Sequence, residues 1–132
     1  MIKDLKDIRV LVVEDEVALN KAYVTILESE HIKVDTCFNG EEALQKISEH
    51  KPNIILLDLR MPKMNGIEFL EQFSKTDTAK DTQIIIFSNY DEQKEIDAAF
   101  SLGATRYMLK AWTSPKELVR LINETVEEAK VS

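Results

Sequence analysis

Four large apolar residues in a row, Ile54-Ile55-Leu56-Leu57, run straight into the carboxylate of Asp58. The run is too short for an independent helix and is bounded by Lys51-Pro52 before it and Arg60-Met61-Pro62 after it. It reads as a strand buried on both faces. Val10-Leu11-Val12-Val13 repeats the pattern and ends in Glu14-Asp15-Glu16, and Ile84-Ile85-Ile86-Phe87 repeats it again and ends at Ser88. Residues 33–38 alternate and predict an outer strand, while residues 105–109 predict a fifth strand ending at Lys110. Between these runs the apolar spacing is helical. Residues 17–30 turn Leu19, Tyr23, Ile26 and Leu27 to one side, and residues 41–50 turn Ala43, Leu44 and Ile47 inward. Ile67, Phe69, Leu70 and Phe73 mark a third helix, followed by a polar surface loop over residues 74–82. Residues 91–102 predict a fourth helix with Ile96, Ala99 and Phe100 inward, closed by Gly103. Ser114-Pro115-Lys116-Glu117 has the form of a capping box and opens the last helix.

Five strand–helix units in regular alternation predict an α/β fold: a doubly wound parallel sheet with helices on both faces. The first, third and fourth strands are the most apolar and belong in the centre. The strand order 2-1-3-4-5 places them there, in a flavodoxin-like (βα)5 arrangement. Its topological switch point lies between the first and third strands, where ligands bind in such sheets. Glu14, Asp15 and Asp58 end those two strands.

Composition narrows the picture. The chain has 132 residues, 44% hydrophobic and 31% charged, which fits one ordinary globular domain with a core over about residues 8–128. A formal net charge of -7 argues against direct nucleic-acid binding and against an anionic membrane surface. No apolar run approaches the roughly 20 residues of a membrane span. The first residues, Met1-Ile2-Lys3-Asp4-Leu5-Lys6-Asp7, lack the apolar core of a signal peptide. The single cysteine, Cys37, cannot form an internal disulfide and fits a reducing cytoplasm. It is expected to pack rather than react.

The strand ends gather Glu14, Asp15, Asp58, Ser88 and Lys110 on one edge. Taken singly, each has an ordinary explanation: acids past a strand solvate a loop or cap a helix, and a serine or lysine there is unexceptional. Together they form a chemical set. Three crowded acids call for a cation or for proton shifts, and hard oxygen ligands of this kind suit Mg²⁺. A carboxylate attacks a phosphoryl group poorly because like charges meet, and a metal with a lysine ammonium relieves that repulsion. Ser88 can donate to a phosphoryl oxygen. Asp58 is thus the candidate nucleophile.

These motifs resemble those of the response-regulator receiver domain, the phosphoacceptor of two-component signalling. Val12-Val13-Glu14-Asp15-Glu16 resembles the family's acidic pair, and Leu57-Asp58-Leu59-Arg60-Met61-Pro62-Lys63-Met64-Asn65-Gly66 its phosphoacceptor signature. Gly103-Ala104-Thr105-Arg106-Tyr107-Met108-Leu109-Lys110 resembles its fifth-strand motif. The resemblance implies that Asp58 accepts phosphate from a sensor histidine kinase or a histidine phosphotransfer protein. It implies Mg²⁺ held by Asp15, Asp58 and the backbone carbonyl of Arg60, with Glu14 assisting through water. Lys110 would pair with the phosphoryl group. Ser88 would swing toward it, and Tyr107 would turn inward, relaying the state to the surface of the fourth helix, fifth strand and fifth helix. That surface would serve a downstream protein partner or a phosphorylation-dependent homodimer. The only chemistry implied is self-catalysed phosphotransfer and slow autodephosphorylation, not enzymatic turnover. No output domain is expected after the fifth helix.

Several positions depart from the family pattern. Ala111 stands where a proline in a cis bond is usual. A cis bond before a non-proline residue costs about 2.5–4 kcal/mol, so a trans Lys110–Ala111 bond and a shifted loop are expected. Asn89 replaces a small residue beside the phosphate path. Arg60 and Tyr90 occupy positions that tune phosphate loss, and a long cation with an aromatic predicts slow decay. Glu14 replaces the commoner aspartate. Trp112 has two balanced explanations, a partner anchor and a packed loop aromatic. His31 and His50 are isolated near helix ends and resemble neither metal ligands nor phosphohistidines. A phosphohydrolase resembling the haloacid dehalogenase group is disfavoured, because Arg60 stands where its second aspartate belongs. A flavodoxin-like cofactor binder is disfavoured because Glu14-Asp15-Glu16 repels phosphate. The remaining alternative is a phosphorylation-independent receiver-like binding module.

Overall fold

The computed structural model describes residues 7–89 and 92–131. Its elements alternate: β1 Arg9–Val13, α1 Val17–Glu28, β2 Lys33–Cys37, α2 Gly40–His50, β3 Ile54–Leu57, α3 Gly66–Phe73, β4 Gln83–Ser88, α4 Gln93–Ser101, β5 Arg106–Leu109 and α5 Pro115–Val131. The sheet is parallel, in the order β2-β1-β3-β4-β5. The three continuous apolar runs are its central strands, as their pattern requires. Every residue of β3 is buried, whereas β5 at the edge is only half-buried along its length.

Alternation of side chains across the sheet makes two cores. Leu11, Val13, Ile55, Leu57, Ile84 and Ile86 point one way and pack with Ala43 and Ile47 of α2, Phe69, Leu70 and Phe73 of α3, and Ala99 of α4. Val10, Val12, Ile54, Leu56, Ile85 and Phe87 point the other way, against Tyr23 and Leu27 of α1 and Leu118, Leu121, Ile122 and Val126 of α5. Helices therefore cover both faces of the sheet. Among the described residues, no helix is long and apolar enough to cross a membrane.

The structure corrects some local expectations. Phe100 is 45% exposed rather than inward. Ala99 is the buried residue of α4, and Phe100, one helical step of about 100° further round, falls outside the covered stripe. The polar segment after α3 contains a 3-10 turn, Asp77–Asp81. Thr82 at its end is buried, donating from Oγ1 to Pro52 O at 3.0 Å. His50 is isolated only in sequence: its Nδ1 lies 2.6 Å from Asp35 Oδ2 on β2.

Other expectations are met. Gly103 takes φ 106° where α4 stops, and Ser114 Oγ accepts from Glu117 N at 3.2 Å at the start of α5. No cis peptide occurs among the described residues, so Lys110–Ala111 is trans. Cys37 is fully buried, and desolvation pushes its thiol up to about 12. So little thiolate at neutral pH leaves a packing residue rather than a nucleophile.

Candidate functional site

Register brings the acids together. Val13 pairs with Leu57 across β1 and β3, and Leu57 pairs with Ile86 across β3 and β4. The residues that follow, Glu14 and Asp58, therefore leave the sheet side by side. Asp58 N donates to Val13 O at 3.1 Å, and Glu14 N donates to Cys37 O at 3.1 Å. The ladder thus extends one residue past β1 and β3 and orients both side chains over the sheet edge. Glu14 is 2% exposed and Asp58 7% exposed, while Asp15 is half-buried.

Lys110 reaches this pair from the far edge. It opens a 3-10 turn, Lys110–Trp112, directly after β5. Thr113 tethers that turn, donating from Oγ1 to Leu109 O at 2.9 Å and from its amide to Lys110 O at 3.3 Å. The lysine ammonium donates to Glu14 Oε1 and, at 3.0 Å, to Asp58 Oδ2. Its side chain is only 8% exposed, unlike an ordinary surface lysine. Burial lowers the pKa of Lys110, but the hydrogen bond to Glu14 and the charges of Asp58 and Glu14 outweigh it and hold the ammonium above the usual lysine value. Burial raises Glu14, against the lowering effect of the Lys110 and Glu16 hydrogen bonds. Lys110 is thus a firmly charged cation serving two carboxylates.

Backbone groups complete the arrangement. Arg60 N donates to Asp58 Oδ1 at 3.3 Å, and Glu16 N donates to Glu14 Oε2 at 3.0 Å. Carboxylate oxygens of Glu14, Asp15 and Asp58 lie within 4.8 Å of one another. Three hard oxygen donors at that spacing, with one lysine to offset them, fit a divalent cation such as Mg²⁺.

The loop after Asp58 is pinned at both ends. Gly40 N donates to Met64 O at 3.0 Å, and Gly66 N donates to Leu59 O at 2.9 Å. Asn65 then caps α3 with a full capping box: its Oδ1 accepts from Glu68 N at 2.9 Å, and its amide donates to Glu68 Oε1 at 3.0 Å.

The other predicted residues take distinct places. Ser88 ends β4 with no exposure, and Asn89 after it is exposed. Tyr107 is half-buried on β5 and packs against the core that holds Ala99. The Arg60 guanidinium points to α4, 3.1 Å from Glu92 and 2.5 Å from Glu95. Tyr90 lies outside the described residues.

Sequence patterns missed Asn20. Its amide is 2% exposed and donates to Glu14 O at 3.0 Å and to Cys37 O at 3.1 Å, tying the acidic loop to the end of β2. The available signal was an asparagine in register with the inward positions Tyr23 and Leu27 of α1.

A parallel 2-1-3-4-5 sheet with acids at the switch point and a lysine crossing from the fifth strand defines a phosphoacceptor domain. Residues 10–123 match the family model of the response regulator receiver domain, and the chain belongs to that family. It is 34% identical over 116 residues to the chemotaxis protein CheY of Treponema pallidum, covering 86% of this chain and 79% of that protein. It is 36% identical over 105 residues to protein-glutamate methylesterase/protein-glutamine glutaminase 1 of Myxococcus xanthus, covering 78% of this chain but 30% of that protein. It likewise spans about half of the phosphate regulon regulator PhoB of Rhizobium meliloti, with 50% of that protein covered at 30% identity. Among solved structures, a CheY-like receiver domain protein from Methanospirillum hungatei JF-1 superposes with a TM-score of 0.86 at 28% identity, covering 93% of this chain and 96% of that one. The receiver domain of Francisella response regulator 1452 gives a TM-score of 0.82 at 27% identity, covering 93% and 99%.

Proposed function

We propose that this chain is a working phosphoacceptor whose nucleophile is Asp58, phosphorylated by a histidine kinase or a histidine phosphotransfer protein in the cytoplasm. The observation that carries this is the Lys110 ammonium donating to Asp58 Oδ2 inside a three-carboxylate cluster. An Asp58 oxygen forms the new bond to phosphorus as the bond from phosphorus to the donor's imidazole nitrogen breaks. Asp15, Asp58 and the Arg60 carbonyl would hold Mg²⁺, with Glu14 beside them, and a bound ion would supply positive charge to offset that of the transferring oxygens. Lys110 supplies the second positive charge.

Buried Ser88 donates its hydroxyl to a phosphoryl oxygen, and Tyr107 turns inward as Ser88 moves. The altered surface of α4, β5 and α5 receives a downstream protein or a second copy of the chain. This is a two-state element biased by one local charge event. Arg60, Asn89 and Tyr90 set the lifetime of the acyl phosphate.

Intact mass after incubation with acetyl phosphate tests the reading, with and without Mg²⁺, for parent and Asp58→Asn. A Mg²⁺-dependent gain of one phosphoryl group, absent in the variant, is expected. A folded parent that gains nothing overturns the proposal in favour of a phosphorylation-independent binding module. Decay of the phosphorylated form tests the lifetime assignment, which requires faster loss in Tyr90→Ala than in the parent.

A further inference from the structure

We propose that the cavity beside the start of β1 and β2, at the sheet edge opposite Asp58, is a binding site for a small oxyanion: a phosphate or carboxylate group carried on a small apolar body. This site stands apart from Asp58 and does not depend on its phosphorylation.

Its signature is a pair of like charges that the ladder forces together. Arg9 and Lys33 are direct partners in the parallel pairing of β1 and β2. Partners in register turn their side chains to the same face, and like charges set opposite one another destabilise a sheet. The backbones cannot slip to relieve this. Lys33 N donates to Ile8 O at 3.1 Å, Asn53 N donates to Arg9 O at 2.8 Å, and Arg9 N donates to Asn53 Oδ1 at 2.8 Å. Acids are plentiful in a chain of net charge -7. Even so, neither Arg9 nor Lys33 is in an ion pair among the described residues.

Asp35 lies two residues beyond Lys33 on the same face of β2 but is engaged elsewhere. Its Oδ2 is 2.6 Å from His50 Nδ1, and its Oδ1 is 3.9 Å from Lys46 Nζ. The end of α2 therefore claims this carboxylate, and the two strand cations are left facing each other.

Between them lies a cavity of about 300 Å³, lined by Arg9, Lys33, Asp35 and His50, with Leu11 and Pro52 as apolar wall. That is the small end of the range for ligand sites. Arg9 gives one guanidinium N–H to His50 O at 3.4 Å. The other donors of the planar fork match two oxygens of one phosphate or carboxylate, and Lys33 adds a point charge from the next strand. An anion held there would turn a repulsive pair into two attractive contacts. The strongly acidic chain around this small basic spot favours a compact ligand over an extended polyanion.

The test follows backbone amide resonances as phenyl phosphate or benzoate is added, without Mg²⁺ and at constant ionic strength set by sodium chloride. Saturating shifts centred on residues 9–11, 33–35 and 50–52 are expected, in the parent and in Asp58→Asn alike. The tighter probe identifies the oxyanion as phosphate or carboxylate. Arg9→Gln and Lys33→Gln should each weaken binding about tenfold, the loss of one hydrogen bond to a charged group. Shifts that do not saturate, that scatter over the surface lysines, or that centre on residues 14, 58 and 110 overturn the site. Unchanged affinity in both variants overturns it too.

A second readout needs no ligand. Lys33→Glu sets a carboxylate opposite Arg9, so its urea midpoint should exceed that of Lys33→Gln, and the advantage should vanish when Arg9→Gln is added to each. Lys33→Glu should also abolish binding of both probes. A Lys33→Glu variant no more stable than Lys33→Gln means that Arg9 is already compensated, and overturns the site.

Discussion

Lys110 Nζ lies 3.0 Å from Asp58 Oδ2, although 52 residues separate them in sequence. Each side chain is 8% exposed, and the same ammonium serves Glu14. Lys110→Met keeps the aliphatic length and deletes the charge, leaving two enclosed carboxylates in each other's field. Removing one partner of a buried pair costs about 3–5 kcal/mol, and about 3 kcal/mol is expected here because the cluster sits at a sheet edge that water reaches. Urea unfolding at neutral pH measures the loss, and added Mg²⁺ should return part of it. The sign with pH follows from Glu14, which burial already holds above the ordinary carboxylate value. As pH falls it takes up its proton above the ordinary carboxylate range, so the penalty of the variant shrinks on acidification. A penalty that grows toward acid would contradict the charge argument.

Asn20 supports the same cluster from behind. Asn20→Leu removes its bonds to two carbonyls, but Cys37 O still accepts from Glu14 N. One buried carbonyl, that of Glu14, is orphaned, which costs about 1–3 kcal/mol. The acidic loop should also loosen, so amide hydrogen exchange at residues 14–16 is expected to quicken beyond the global change. Exchange there that only follows global stability would reduce Asn20 to a packing residue.

What the chain discloses in advance depends on how local the cause is. β1, β3 and β4 are legible because a strand covered on both faces must be apolar throughout. Asp58 and Glu14 are legible because each ends such a run. Asn20 is hidden because its partners are backbone carbonyls, which leave no trace in composition. Phe100 is misjudged because helical spacing gives the width of an apolar stripe, not how far neighbouring elements cover it. The Arg60 contacts with Glu92 and Glu95 join residues 32 and 35 positions apart, beyond the reach of any local pattern.

Gly66 shows a local residue with a distant reason. A Cβ there would lie 2.6 Å from Asp58 O and 2.7 Å from Leu59 Cα. Both are backbone atoms, so no side-chain rotation relieves the clash. Gly66→Ala must push α3 and the acceptor loop apart, at about 3 kcal/mol, the upper part of the range for overpacking. Because the displaced backbone belongs to Asp58 itself, phosphorylation by acetyl phosphate at saturating Mg²⁺ should slow in whatever fraction remains folded. A parental rate in that variant would mean that α3 alone absorbs the strain.

Arg60 links the acceptor loop to α4. Its amide donates to Asp58 Oδ1 while its guanidinium holds Glu92 and Glu95. Glu92 stands at the N-cap of α4 without a side-chain cap bond, so the arginine is a tether for that end of the helix. The contact is exposed and should weaken with salt. Arg60→Gln and Glu95→Gln are each expected to speed hydrogen exchange in the first turn of α4, with little added by combining them. Under the proposed function, a phosphoryl dianion on Asp58 competes with Glu92 and Glu95 for the guanidinium. The phosphorylated parent should then exchange in that turn as fast as unmodified Arg60→Gln, and phosphorylated Arg60→Gln should show no further change. Equal protection of α4 in parent and Arg60→Gln at low salt would break this link and leave Ser88 and Tyr107 as the route from Asp58 to the α4 face.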